Sequence, residues 1–264
     1  MISATLNKHY KTALMEATGH IGDSPLFLLD YMLRILRVII LMSLWQMILA
    51  NKGSVDGLTL ETVLVYTFLA EVFRQQMECR GSGMETAIWD GSIANRFLRP
   101  AGVFSQFVAQ MFGRWFFEFL FFSIPLLLLS PLFGVSILPS SPVALGLFVM
   151  SLALAIAVGL AIELIFGAMV VLTSTVYILY QIRDAVTTLL SGALLPLAFY
   201  PWGLGEVFGW LPFASMASAP LRIYTETGDP GHLILLQVIW AAVLWPIAHV
   251  LWRINREKLV SHGG

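Results

Sequence analysis

The chain has 264 residues, of which 58% are hydrophobic and 12% charged, and its formal net charge is −1. Soluble domains are about half apolar and about a quarter charged, so a soluble fold of this length would not hide so much apolar surface. The near-neutral charge gives no indication of a nucleic-acid partner, and a lone cysteine, Cys79, excludes an internal disulfide. A bilayer accommodates this composition, because roughly 20 apolar residues span it as a helix.

The first 23 residues predict an amphipathic helix that lies on the membrane surface. Apolar side chains recur at helical spacing between Lys8, Lys11 and Glu16. The alternative is a frayed tail. The same stretch, 1–23, has no continuous apolar core, so it does not resemble a cleavable signal peptide.

The long apolar stretches predict an all-α polytopic membrane protein in a single transmembrane domain, 1–264. Six transmembrane helices fit into this length with short loops between them. The predicted spans one to six are, in chain order, 26–50, 58–78, 103–130, 143–171, 183–199 and 231–252.

A polar segment, 74–102, separates spans two and three and holds four arginines and three acids. It predicts a loop over 79–100. Residues 84–97 predict a short helix with Trp89 at its middle, and Pro100 prevents simple continuation into span three. The alternative is a solvated loop with an interfacial tryptophan.

Span three carries a polar stripe at i, i+4 spacing. Gln106, Gln110, Arg114 and Glu118 lie on one face of the predicted helix. Charges inside an apolar span are costly, so Arg114 and Glu118 should face protein or water and pair with each other or across a subunit interface. Gln110, Arg114 and Glu118 are therefore predicted to form an intramembrane polar network.

The second half of the chain predicts two further connections. Residues 173–184 are read as a short inner turn. The segment 200–228 is apolar but rich in proline and glycine, so it predicts short helices in an outer re-entrant or interfacial hairpin. A broken backbone cannot face lipid tails, so this hairpin should be buried against protein or lie at the headgroups.

Lysine and arginine counts predict the orientation. With both termini in the cytoplasm, only Lys52 and Arg222 of the 15 lysines and arginines lie outside, and Arg114 is intramembrane. Positively charged residues favour the inner side, so the loop 79–100 is predicted to be cytoplasmic.

Catalytic and nucleotide-binding signatures are absent from the sequence. It has no HExxH, no GxSxG and no phosphate-binding loop of the GxxxxGK[ST] type. The five histidines have no metal-ligand spacing. If the protein uses ATP, another chain must bind it.

Two motifs in this chain resemble the permeases of type-2 ABC exporters. The first lies between spans two and three and consists of Gly91, Ile93, Phe97, Leu98, Arg99 and Pro100. The second begins in the last part of span five, runs into the outer segment, and consists of Gly192, Pro196, Tyr200 and Pro201. The order of N-terminal helix, spans, loop and hairpin matches that family over essentially the whole chain.

The resemblance implies a non-catalytic permease subunit of a multi-pass transporter in the bacterial plasma (inner) membrane. A coupling helix at 84–98 would sit in a groove of a separate ATPase subunit, which would hold ATP and Mg, with none bound by this chain. A second permease, identical or homologous, would complete the path among membrane lipids. The predicted ATPase-coupling residues are Glu85, Ile88, Trp89, Ile93, Arg96, Leu98 and Arg99.

Two other functions fit a polytopic chain. A membrane-embedded lipid enzyme would need clustered acids or histidines, whereas the acids are scattered: Glu61 and Glu71 lie at opposite ends of span two, Glu118 on span three and Glu163 on span four. An ion-coupled carrier using Arg114 and Glu118 is less favoured, because such carriers often contain internal repeats and none is visible here.

Overall fold

The computed structural model describes residues 26–49, 54–55, 57–79, 83–139, 141–170 and 176–261. The predicted surface helix at 1–23 lies outside these residues. The described chain is mostly α-helical, with one small antiparallel hairpin that pairs Ser54–Val55 with Leu58–Thr59. The α-helices are α1 (Leu26–Leu49), α2 (Leu60–Val72), α3 (Arg74–Met77), α4 (Met84–Trp89), α5 (Ile93–Phe97), α6 (Val103–Glu118), α7 (Ile124–Leu128), α8 (Pro142–Met169), α9 (Val176–Leu190), α10 (Leu204–Gly209), α11 (Ser218–Tyr224) and α12 (Pro230–Ser261).

Among the described residues, four helical stretches are long and apolar enough to cross a membrane. They match predicted spans one, three, four and six, and they are Tyr31–Leu49, Val103–Leu128, Pro142–Met169 and Pro230–Asn255. Predicted span two forms the 13-residue α2 and then α3, with Phe73 between them. The 13 residues of α2 rise about 20 Å, less than the roughly 30 Å hydrocarbon core, so the six-span count stays a prediction.

The long helix of predicted span three changes its winding. Between α6 and α7, residues Phe119–Ser123 form a π-helical turn, and Pro125 is the second residue of α7. Proline has no N–H, and its ring clashes with the carbonyl four residues earlier, here that of Phe121. The wider turn relieves this clash and lets the helix continue to Leu128.

The predicted inner turn 173–184 is wrong in its second part. Residues from Val176 onward already belong to α9, which ends at Leu190, so this helix begins and ends earlier than the predicted span 183–199. The polar pair Arg183 and Asp184 suggested a turn, but the Arg183 side chain is buried inside the bundle. Gly192, with φ of +78°, follows the end of the helix.

Helix α8 lies at the centre of the described bundle. It packs against α12, α11, α3 and α9. Small side chains allow this close approach, and Ala155, Ala161 and Ala168 are fully buried. One polar link crosses the core: Ser151 donates to Gln237 Oε1 at 2.9 Å, and Gln237 Nε2 donates to the Ser151 carbonyl at 3.0 Å.

The outer segment is broken into short helices. Two 3-10 turns, Leu197–Phe199 and Pro201–Gly203, precede α10. At Gly205 the chain comes back close to Leu197. A Cβ added at Gly205 would lie 2.0 Å from the backbone oxygen of Leu197. Only glycine fits this close approach.

This contact generates a first prediction. Gly205→Ala forces Leu197 and Gly205 apart, and overpacking of this kind costs about 1–3 kcal/mol. We expect a lower Tm of the purified protein in detergent, followed by intrinsic tryptophan fluorescence. Gly209→Ala is the matched control, because a Cβ there meets nothing within 4 Å. Equal Tm values for the two variants would contradict the predicted close contact.

Candidate functional site

The predicted loop helix is two short helices rather than one. Gly83, directly before α4, and Gly91, which separates α4 from α5, have positive φ values of +69° and +75°. A hydrogen bond from the Ser92 side chain, and then one from the Ser92 N–H to Asp90 Oδ1 at 2.8 Å, lower the pKa of the Asp90 carboxyl. The coupling segment is defined here as residues 84–99.

One face of the coupling segment is fixed to the bundle. Met84, Ala87 and Ile93 are buried with Val103 and Phe107 at the start of α6. Gly167 of α8 leaves room for Met84, because a Cβ at Gly167 would lie 2.1 Å from the Met84 sulfur. Ile93 is only 2% exposed, so its side chain contributes to this inner packing.

The other face of the coupling segment is exposed. Trp89 is 70% and Leu98 85% exposed, and Arg99 is exposed beside them. A cavity of about 330 Å³ lies against this face and is lined by Glu85, Thr86, Trp89 and Tyr177. Partial burial raises the pKa of the Glu85 carboxyl, and the nearby charges of Asp184 and Glu163 act in the same direction.

Arg96 ties the coupling segment to α6. Its Nη1 donates to Gln110 Oε1 at 2.7 Å, and its guanidinium lies 4.0 Å from the centre of the Phe107 ring. Gln106 Nε2 donates to the carbonyls of Arg96 at 2.9 Å and Ala101 at 2.8 Å. Gln106 and Gln110, the first two residues of the polar stripe, therefore hold the loop. Gln110 bonds to Arg96, a loop residue that does not belong to the predicted network.

The end of the polar stripe farthest from the loop contacts α1. Glu118 Oε2 lies 3.4 Å from Arg34 Nη2, and the Arg34 guanidinium lies 4.6 Å from the centre of the Phe122 ring. A second pair joins α1 to α2, with Arg37 Nε 3.0 Å from Glu71 Oε1. The predicted pairing of Arg114 with Glu118 stays a prediction.

The most deeply buried charge cluster surrounds Arg183 of α9. Arg183 is 3% exposed, and its Nη2 lies 3.1 Å from Oε2 of Glu163, itself 2% exposed, on α8. Nη2 also donates to the carbonyls of Glu78 at 3.0 Å and Cys79 at 3.2 Å. Nη1 donates to Asp184 Oδ1 at 2.8 Å. We call this arrangement the Arg183 cluster.

The Arg183 cluster fixes the point at which the chain leaves α3 for the coupling segment. Cys79 is fully buried there with φ of +47°, an uncommon backbone conformation for a residue with a side chain. A Cβ at Gly159 of α8 would lie 2.3 Å from the Cys79 sulfur, so Gly159 makes room for it. One guanidinium thus joins α3, α8 and α9 beneath the loop.

Sequence reasoning missed this cluster, although a signal existed. Glu163 is the only charged residue among the 28 of α8. A single acid in one apolar span and a single base in the next predict each other as partners, because an isolated charge there is costly. Among the described residues, no group of three or more His, Cys, Asp or Glu side chains is placed to hold a metal ion.

Comparison with known proteins identifies the family of this arrangement. A family model described as ABC-2 family transporter protein matches residues 35–263. The chain belongs to the ABC-2 transporter family. It is therefore a multi-pass permease component of an ABC transporter, and membership implies association with an ABC ATPase. A search of curated proteins and a search of solved structures each returned no match.

The match to the ABC-2 family includes nearly all of the site, and Arg34 lies one residue before it. The coupling segment, the Arg183 cluster and the outer segment all fall within 35–263. The resemblance inferred from the sequence motifs is confirmed. The predicted surface helix at 1–23 precedes the match.

The Arg183 cluster generates a second prediction. Arg183→Met leaves Glu163 as a buried charge without its nearest cation, and breaking such a pair costs about 3–5 kcal/mol. We expect a large loss of folded, membrane-inserted protein, measured by size-exclusion chromatography in detergent. Adding Glu163→Gln to Arg183→Met should recover part of that yield, because it removes the stranded charge.

The matched control is Arg253→Met, which removes an exposed arginine near the end of α12. It should leave the yield unchanged. If the double variant is no better than Arg183→Met alone, the loss arises from something other than the unpaired Glu163 charge.

Proposed function

We propose that this chain is the permease subunit of an ATP-driven exporter and that the coupling segment docks on a separate ATPase subunit in the cytoplasm. The observation that supports it is the two-sided character of that segment. One side is anchored in the bundle, while the other presents Trp89, Leu98 and Arg99 to the surroundings. Tryptophan and arginine dominate the binding energy of many interfaces.

The anchored side gives the docked ATPase a rigid connection to the spans. Arg96 connects the segment to α6 through Gln110, and Met84 connects it to α8 at Gly167. Arg183 holds the chain just before the segment and belongs to α9. Movement of the segment during ATP binding would therefore act on three helices at once.

The proposed complex contains two permease subunits, identical or homologous, around a shared path. In this arrangement ATP and Mg belong to the ATPase. Exposed apolar residues along α1, including Met32, Leu36 and Met47, provide surface for lipid or for the second subunit. Export rather than import follows the resemblance of the loop and outer motifs to type-2 exporters.

A third prediction concerns the aromatic anchor. Trp89→Ala should weaken binding of the ATPase about thirtyfold, the loss that corresponds to an anchor of about 2 kcal/mol. Membrane insertion should be unaffected, because Trp89 is exposed and outside the long helices. The measurement is titration of purified ATPase onto the permease in nanodiscs.

Trp202→Ala is the matched control for this titration. Trp202 is 92% exposed and lies in the outer segment, so the same substitution there should leave ATPase affinity unchanged. If the Trp89 and Trp202 variants bind the ATPase with equal affinity, the coupling segment is a solvated connector and not a docking surface.

A fourth prediction separates two arginines that the sequence alone treats alike. Arg99 is exposed, whereas Arg96 is half-buried and bonded to Gln110. Arg99→Glu should weaken ATPase binding and be rescued by a charge reversal of an acidic residue in the ATPase groove. Arg96→Glu should resist such rescue, because it also breaks the anchor to α6. Rescue of Arg96→Glu but not of Arg99→Glu would show that the ATPase contacts Arg96 rather than Arg99.

A further inference from the structure

A polar cavity lies at the end of the bundle opposite the coupling segment. Its volume is about 570 Å³, and it lies between the start of α2 and the outer segment. Its apolar wall includes Leu58, Val63 and Leu197. A neighbouring cavity of about 260 Å³ shares the side chains of Glu206 and Arg222 with it. These two charges therefore line both spaces.

Arg222 is held in place but keeps free hydrogen-bond donors. Nη2 donates to the Thr227 carbonyl at 3.3 Å, and no carboxylate among the described residues forms an ion pair with the guanidinium. Gly228 makes room for it, because a Cβ there would lie 3.2 Å from both Nε and Nη2 of Arg222. A guanidinium has five donors, so most remain available to a ligand.

Glu206 supplies the opposite charge to the same cavity. It lies in the first turn of α10 and is exposed at the edge of the cavity, and no lysine or arginine among the described residues pairs with it. Arg222 is half-buried and therefore partly desolvated, so a partner of opposite charge stabilises it, while Glu206 presents its carboxylate at the open edge of the same cavity. A purely anionic ligand would be repelled by Glu206, and a purely cationic one by Arg222.

The tyrosines of the cavity are already committed to the backbone. Tyr66 donates its hydroxyl proton to the Gly192 carbonyl at 2.8 Å, and Tyr200 donates to the Leu189 carbonyl at 2.7 Å. Their rings shape the wall, while the charged groups are left to select a ligand. A ligand that satisfies both groups carries an anionic and a cationic group.

We propose that this cavity binds a zwitterionic group, with its phosphate or carboxylate on Arg222 and its ammonium on Glu206. The group belongs either to the headgroup of a phospholipid or to a soluble zwitterion. The inference rests on the proposed function in one respect: an exporter presents a site on the outer side where a cargo headgroup could be received. The apolar wall beside the charges accommodates the first carbons of an acyl chain.

Calorimetric binding to the purified full chain in an uncharged detergent tests this proposal. The probes are short-chain phosphatidylethanolamine, glycerophosphoethanolamine and short-chain phosphatidylglycerol. We expect the first to bind, and Arg222→Gln and Glu206→Gln each to weaken it about tenfold or more, because each removes a charge-assisted hydrogen bond. Arg253→Gln and Glu61→Gln are the controls, since both residues are exposed and neither lines the cavity.

The three probes separate the possible ligands. Binding of glycerophosphoethanolamine as well as the lipid supports recognition of the headgroup alone, and binding of the lipid only supports a phospholipid source. Phosphatidylglycerol binding as tightly as phosphatidylethanolamine would overturn the zwitterion assignment. Unchanged affinity in both cavity variants, or no binding of either zwitterion, would overturn the site.

A measurement on the unmodified chain guards against variants that fail to fold. Photoactivatable phosphatidylethanolamine should label peptides from 196–206 and 218–227, and labelling confined to other regions would contradict the proposal. No ATPase is present in either assay. A failure here therefore removes the outer site and leaves the docking results standing, and the reverse also holds.

Discussion

The buried guanidinium of Arg183 is the contact on which the rest of this permease depends. It neutralises Glu163 and donates hydrogen bonds to the carbonyls of Glu78 and Cys79. Without these bonds the two carbonyls would be buried out of reach of water. A buried ion pair is often no more stabilising than well-packed apolar side chains, but losing one partner is severe. Its value here is geometric, because it sets where α3, α8 and α9 meet and where the coupling segment leaves the bundle.

The two ends of the bundle are organised by different interactions. At the end with the coupling segment, Arg34, Arg37 and Arg183 each bind an acid on another helix, so the ties are electrostatic and directional. At the opposite end the chain turns through glycine contacts such as that of Gly205, and its charges line a cavity. A rigid end would transmit movement from an ATPase, whereas an open end would accept a ligand.

Much of the fold could be predicted because apolar length is a strong signal. The predicted spans 26–50 and 143–171 agree with α1 and α8 within two residues at each end. The beginning of α9 was missed because Arg183 and Asp184 together suggest a loop, and only the contact of Arg183 with Glu163 of α8 explains a buried charge within this helix. The helices α4 and α5 fall within the stretch 84–97 that was predicted to be helical, but which face they expose depends on tertiary packing. In the sequence, Ile93 and Trp89 are both apolar residues of one predicted short helix. Only the contacts of Ile93 with α6 distinguish the two residues.

Photo-cross-linking from single positions tests the central claim most directly. Three variants of the chain each carry one photoreactive amino acid, at position 89, 98 or 202. Each variant is irradiated in membranes that also contain the ATPase. Docking of the coupling segment predicts cross-links to the ATPase from positions 89 and 98, with yields that change when ATP is added, and none from position 202. Cross-links from 202 alone, or none from 89 and 98 while the complex is intact, would contradict the account.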